Sequence, residues 1–425
     1  MVTVLLITFF GLLILNFPIA LVVLISAAAG IVFISHNSPL VLVLQLFNGL
    51  DNFVILAAPF FIMAGGVAAE GDTARRLVAV MNVIFGRLSG GLVIATIMAC
   101  AFFAAISGSS LATVVAIGTI MIPSLEREGY PKPMAVGVCT SAGALGVMIP
   151  PSIPMVIMCV AMGTSVGKQF MAGFLPGIFI AICWSIYAYV VCLKNNYGTK
   201  SELRLSEVVR VLKESVFALL FPVIVLGGIY GGIATPTEAA AISLIYVLII
   251  EFAVYKKLKV RDLKKILSES AIISATLNTI LGCAMVFSWY MTTQQVPAVV
   301  AAFITNVIHA KWIFLLAIVI FYTLAGCFMD LVSLTVILGP ILIPSMQKFD
   351  IDLIHFGIIA VAMCELGFLT PPFGINLFVS MSLTKESLGY TARATLPYMI
   401  VMAGAILAIT YIPEISLFLP NLFYR

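Results

Sequence analysis

Gly146-Val147-Met148-Ile149-Pro150-Pro151 breaks an apolar run over residues 134–163, and Gly367-Phe368-Leu369-Thr370-Pro371-Pro372 breaks another over 356–384. Proline lacks a backbone donor and pushes the residue before it out of helical geometry, so each run reads as two half-helices. Shifting the sequence by 221 residues superposes the two breaks: Val115–Pro176 aligns with Val336–Pro397 without a gap. Twelve of those 62 positions are identical, among them Ile122-Pro123-Ser124 with Ile343-Pro344-Ser345. Four proline pairs coincide, Pro123 with Pro344, Pro150 with Pro371, Pro151 with Pro372 and Pro176 with Pro397. Chance gives about 0.6 such coincidences in a repeat test of this kind. The chain carries an internal repeat, and its helix breakers mark it.

Ahead of each broken run lies a pair of apolar segments that are individually short for a bilayer crossing. Residues 90–106 and 111–125 flank Ser107-Gly108-Ser109-Ser110; residues 312–328 and 332–346 flank Met329-Asp330-Leu331. Such pairs predict re-entrant helical hairpins, because irregular backbone survives at membrane depth only where protein or a wet cavity covers it. Charge then orients the copies. Lys194–Lys213 carries five Lys/Arg and Lys256–Lys265 carries six, which assigns both linkers to the cytoplasm. The segment with Arg75, Arg76 and Arg87 goes to the same side, as an amphipathic helix along the membrane surface. Counting crossings outward from these anchors, the first hairpin enters from the cytoplasm and the second from the opposite face. The repeats are inverted.

The whole chain fits this reading. Of its 425 residues, 62% are hydrophobic and 9% charged, with a formal net charge of +4 and a mean hydropathy of +1.20. These values exclude a soluble globular enzyme, a disordered chain and a nucleic-acid binder. The expected fold is an all-α polytopic membrane protein with about eleven spanning segments plus two re-entrant helical hairpins. Its organisation is scaffold spans and a surface helix over 1–89, the first hairpin and broken helix with a closing span over 90–193, and a cytoplasmic linker over 194–215. A second scaffold part follows over 216–311, and the second hairpin, broken helix and closing span over 312–425. The run 2–34, which lacks Lys and Arg, reads as a retained first span rather than a cleavable signal.

Catalytic chemistry finds no support. The eight cysteines stand singly in apolar segments and read as small buried hydrophobes. His36, His309 and His355 share no ligand spacing. A phosphate-binding P-loop, an HExxH and a GxSxG are all missing from the sequence. A membrane-embedded enzyme would need a paired nucleophile and base, and none is legible, so no catalytic residue is assigned.

Inverted repeats with broken helices point instead to a secondary transporter that binds substrate and coupling ions near the midplane. A helix interrupted in lipid leaves unpaired carbonyls at one half-helix end and unpaired N–H groups at the other. Carbonyls and hydroxyls replace the hydration shell of a small cation, and N–H ends hold a carboxylate. The sodium-binding candidates are Ser107, Gly108, Ser109, Ser110, Thr140, Gly143 and Gly146 in repeat one, with Asp330, Ser333, Gly367 and Thr370 in repeat two; Thr335 lies at the same tip. The substrate candidates between the tips are Ser110, Ser141, Pro150, Pro151, Ser152, Pro371, Pro372, Gly374 and Asn376. Among the other acids, Glu365 divides evenly between function and a structural hydrogen bond. Glu238, in Thr235-Pro236-Thr237-Glu238, reads as a helix-capping acid. Glu251 is expected to snorkel or pair with Lys256, and Asp51 is read as structural.

These motifs resemble a known family. Ser107-Gly108-Ser109-Ser110, Ala116-Ile117-Gly118-Thr119-Ile120-Met121-Ile122-Pro123 and Pro150-Pro151-Ser152-Ile153-Pro154 are similar to the large membrane subunit of tripartite ATP-independent periplasmic (TRAP) transporters. So are Gly232-Ile233-Ala234-Thr235-Pro236-Thr237-Glu238-Ala239-Ala240 and Glu365-Leu366-Gly367-Phe368-Leu369-Thr370-Pro371-Pro372-Phe373-Gly374-Ile375-Asn376-Leu377-Phe378. The resemblance covers nearly the whole chain. It implies sodium-coupled import of an organic acid, such as a C4-dicarboxylate or sialic acid, across the bacterial inner membrane. It implies two partners, a periplasmic substrate-binding protein and a small membrane subunit of about four helices. Because the chain begins directly with the first span, that subunit is expected as a separate partner. It further implies an elevator motion of the hairpins and broken helices, with arm helices near Arg75–Leu88 and Pro297–Ala310, and no cofactor beyond sodium. The wording of the first hairpin is nearest the sialic acid branch. A stand-alone anion transporter or exchanger of the same broad superfamily is the alternative.

Overall fold

A computed structural model describes residues 2–15, 17–34, 38–198 and 205–424. His36 and residues 199–204 of the first basic linker lie outside the described residues. Among the described residues all regular structure is helical. Seven helices among the described residues are long and apolar enough to cross a membrane singly, Phe53–Glu70 and the 34-residue Val260–Thr293 among them, and up to nine spans result there if each of two bent pairs counts as one. Shorter apolar helices fill the remainder, and the expected all-α polytopic architecture is what forms.

The scaffold departs from the sequence reading in two places. The run 2–34 is not a single span: it divides into Val2–Ile14 and Ile19–Ala29, which pack against each other. Pro18, with no N–H to give, stands where the second helix starts. The run 41–70 divides as well. Leu40–Leu50 ends at Asp51, and the Asn52 side chain accepts from Val54 N at 3.0 Å to open a tight turn leading into Ala57–Glu70. The second part comprises Leu205–Tyr230, Pro236–Ile249, Val260–Thr293 and Val296–Val307. Thr235 and Glu238 form a reciprocal capping box at the start of Pro236–Ile249, the role expected of Glu238.

Glu251 requires a correction. It neither snorkels nor pairs with Lys256, but is fully buried and holds the start of the helix Thr73–Phe85. Its carboxylate accepts from Asp72 N at 2.9 Å, from Thr73 N at 2.9 Å and from the Thr73 hydroxyl. The first turn of a helix leaves N–H groups unpaired and carries partial positive charge, so a buried carboxylate is stable there. A side chain at Gly71 would collide with that carboxylate. Arg76 adds a second fastening by lying 3.9 Å over the Tyr255 ring.

Two sets of helices recur, and against the sequence expectation the returning arm of each hairpin, Ser110–Arg127 and Leu331–Lys348, is long and apolar enough to cross a membrane singly. In the first, Gly91–Ser107 and Ser110–Arg127 make the hairpin, the broken helix is Lys132–Ala142, Leu145–Met148 and Ile153–Met162, and Val166–Asn195 closes the unit. In the second, Lys311–Gly326 and Leu331–Lys348 make the hairpin, Leu353–Phe368 and Ile375–Thr384 the broken helix, and Leu388–Tyr411 the closing helix. Each returning arm has 18 residues, about 27 Å. It outruns its apolar core because Glu126-Arg127 and Gln347-Lys348 continue the helix at the polar end.

Equivalent residues do equivalent work. Ser109 N-caps its returning arm by accepting from Ala112 N, and Asp330, 221 positions later, caps its own by accepting from Ser333 N. Both proline pairs hold a cis bond. Packing is exchanged between copies: Ile153–Met162 lies on the returning arm of hairpin two, and Ile375–Thr384 on that of hairpin one. The closing helices are tied by Trp184 Nε1, which donates to the Tyr398 carbonyl at 2.8 Å.

Candidate functional site

The first hairpin tip turns at Gly108, whose φ of +59° lies in the left-handed region that favours glycine. A Cβ there would also approach the Pro151 carbonyl at 2.9 Å. The Gly108 carbonyl accepts from Ile153 N at 3.3 Å, which fastens the tip to the break in the neighbouring helix. Ser152, fully buried, caps that half-helix by accepting from Met155 N.

Oxygen atoms converge behind this tip. The Ser107 hydroxyl lies 3.0 Å from the Thr113 hydroxyl, which donates to the Ser109 carbonyl at 2.8 Å. A Cβ on Gly146 would collide with the Ser109 carbonyl and lie 2.5 Å from Thr113 Oγ1, whereas one on Gly143 would collide first with the Val114 Cγ2 methyl and lie 3.3 Å from the Ser110 and Thr140 carbonyls. The missing side chain of Gly146 thus lets the Ser109 and Thr113 oxygens approach the broken helix, and that of Gly143 admits Val114 beside them. Ser141 beside them has a buried hydroxyl that makes no hydrogen bond.

The second repeat assembles a different set. Asp330 spends its carboxylate on Ser333, accepting from the amide at 2.9 Å and from the hydroxyl. Thr370 donates to the Leu366 carbonyl at 2.8 Å, and Thr335 to the Leu331 carbonyl at 2.7 Å. Gly367 lies against the first hairpin arm, where a Cβ would stand 2.8 Å from Gly326 Cα and 2.9 Å from the Thr323 carbonyl. Gly374 faces the Thr370 and Phe368 carbonyls. Phe328 and Leu334 occupy the positions equivalent to Ser107 and Thr113, so this half is poorer in hydroxyls. The two halves also differ in exposure: Pro150 and Pro151 are buried, whereas Pro371 and Pro372 are exposed.

The two halves meet through side chains. The Ser110 hydroxyl and the Asn376 amide lie within hydrogen-bonding distance through both Asn376 atoms, at 3.0 Å to Oδ1 and 2.7 Å to Nδ2. The Thr140 hydroxyl donates to Ser380 at 2.7 Å. Glu365 is fully buried with neither oxygen hydrogen-bonded, and the Ser110 and Asn376 side chains face it. Among the described residues no lysine or arginine is buried. An anion held here must rely on hydroxyls, amides and half-helix N–H groups. Sequence reading missed Thr113 and Ser380. Each lies one helical turn beyond an assigned residue, Ser109 and Asn376, and a search at i+4 for small polar residues would have found both.

The expected membership can be compared with known proteins. Residues 6–415 match the family described as "Tripartite ATP-independent periplasmic transporter, DctM component". The chain is 40% identical over 397 residues to the C4-dicarboxylate TRAP transporter large permease protein DctM of Pseudomonas aeruginosa, covering 93% of each protein. It is 40% identical over 410 residues to the isethionate TRAP transporter permease protein DctMQ of Oleidesulfovibrio alaskensis, covering 96% of this chain and 64% of that one. The crystal structure of the Alcanivorax borkumensis YdaH transporter superposes with a TM-score of 0.61 over 87% of this chain and 86% of that one, at 14% identity. That likeness concerns the fold. With its motifs, its helical architecture and its relatives in agreement, this chain belongs to the DctM family of large permease subunits of tripartite ATP-independent periplasmic transporters.

Proposed function

We propose that this permease imports a small organic acid, a C4-dicarboxylate in the first instance, across the bacterial inner membrane and couples that import to sodium. The observation that carries the reading is the junction of Ser110 with Asn376, flanked by the oxygen-lined cradle at Gly143 and Gly146. Carbonyl and hydroxyl oxygens are the donors a hard cation takes. The residues that would hold sodium are Ser107, Ser109, Thr113, Gly143 and Gly146 in repeat one, with Gly367 and Thr370 in repeat two. The acid would lie between the tips, against Ser110, Ser141, Asn376 and the N–H groups that follow each proline pair. The relatives named for C4-dicarboxylates and for isethionate support a small organic anion, and a C4-dicarboxylate is favoured over sialic acid on that ground.

Motion follows from how the parts are joined. Hairpins and broken helices exchange packing with one another, so they would travel as one body against the scaffold, an elevator with Thr73–Phe85 and Val296–Val307 as its arms. A periplasmic binding protein would deliver the acid, and a small membrane subunit would cover exposed apolar scaffold faces such as Leu44, Phe47 and Val223. The test is uptake of radiolabelled succinate into liposomes holding both membrane subunits, with binding protein outside. Uptake only under an inward sodium gradient and only with binding protein supports the reading. Uptake without sodium contradicts the coupling, and uptake without binding protein favours a stand-alone carrier.

A further inference from the structure

We propose that Glu365 anchors an additional small-cation site, built with Ser110 and Asn376 across the junction of the two repeats, and that sodium is its ion. The carboxylate is fully buried in Leu353–Phe368, and neither of its oxygens makes a hydrogen bond. A carboxylate taken out of water without a partner is among the costliest groups a fold can bury. Either a cation or a proton has to neutralise it, and the set of oxygens around it favours a cation.

Among the described residues no cationic side chain meets the carboxylate. Lys168, Lys194, Lys311, Lys348 and Arg393 lie on the elements packed around Leu353–Phe368, and all stand exposed or half-exposed. Asp330 and Tyr322 on hairpin two and Cys364 beside it bring no positive charge, and buried His355, near the other end of the same helix, has its ring engaged with the Ser416 hydroxyl and the Thr410 carbonyl. What faces Glu365 is a hydroxyl and an amide from the two repeats, bonded to each other. Carboxylate, hydroxyl and amide oxygens together form the all-oxygen set that hard cations take.

The site goes beyond the cradles proposed for each repeat, and its consequence rests on the transport reading. An organic acid approaching Ser110 and Asn376 meets the negative charge of Glu365 unless a cation already covers it. Ion loading would then come first, and the acid would bind to a neutralised junction.

Equilibrium binding of radioactive sodium to the purified chain with its small subunit tests this. E365Q is expected to bind one sodium ion fewer than the native protein while keeping the others. Equal stoichiometry in the two overturns the proposal. No sodium binding to the native protein removes the coupling reading itself, an outcome distinguishable from the first. Should E365Q not fold, E365D serves: with its charge set back by one methylene, it is expected to bind the same number of ions with at least one site weakened several-fold. Unchanged sodium affinity in E365D overturns the proposal.

Discussion

Ser110, in the returning arm of hairpin one, and Asn376, in the second half of broken helix two, hydrogen-bond across 266 residues of sequence at 2.7–3.0 Å. The two repeats share a polar contact between the hairpin tip of the first and the helix break of the second. Both side chains are buried, so this contact is where local changes should be felt most.

Substituting Ser110→Ala or Asn376→Ala leaves the surviving partner buried and unpaired, at about 1–3 kcal/mol. If the acid uses these groups, its apparent affinity falls about tenfold in either variant. Because they share one contact, the double variant should lose less than the two single losses combined. Uptake kinetics over a range of succinate concentrations reads this directly, and strictly additive losses would count against a shared contact.

Gly146→Ala should raise the half-saturating sodium concentration about tenfold, because its Cβ would collide with the Ser109 carbonyl and crowd the Thr113 hydroxyl. Gly404→Ala is the control. No atom lies within 4 Å of a Cβ there, and alanine suits the middle of Leu388–Tyr411 better than glycine. Sodium titration of uptake compares the two, and equal shifts would refute the cradle.

Glu251→Ala strips three donors at the start of the first arm helix of their acceptor. The expected cost is about 2–4 kcal/mol, visible as a lowered unfolding temperature in detergent, with sodium affinity unchanged. Gly71→Ala should lower it too, by forcing the same carboxylate aside. An unaltered unfolding temperature in both variants would mean that the arm is not fastened there.

Trp184→Phe removes the bond from the indole to the Tyr398 carbonyl, which ties the closing helices of the two repeats. The loss should be about 1–3 kcal/mol, since the carbonyl is left buried without that donor. Thermal unfolding measures it, and a neutral effect would show that the tie contributes nothing net.

Much of this was legible because it is local. The proline pairs at Pro150-Pro151 and Pro371-Pro372 break helices through their own backbone chemistry, and a gap-free shift exposed the duplication. The Thr235–Glu238 capping box spans four residues and needs no tertiary knowledge. Glu251 was misread because its partners, Asp72 and Thr73, are 178 residues away or more, and nothing in its own neighbourhood points to them. Lys256, close in sequence, was the nearer but wrong partner. The run 2–34 was read as one span because composition does not show a helix folding back on itself, even with Pro18 in view. The asymmetry between the cradles was on the page at Phe328 and Leu334, but it acquires meaning only once Ser107 and Thr113 are seen touching.

The central claim is that ion and acid bind at one junction of the two repeats and favour each other there. Sodium affinity of the purified permease, with its small subunit, should be measured with and without binding protein saturated in succinate. Linkage requires that an acid favoured by sodium in turn favours sodium. A sodium Kd that falls several-fold with the loaded binding protein, and does not fall in Asn376→Ala, is the predicted result. A sodium Kd indifferent to the acid would contradict the account.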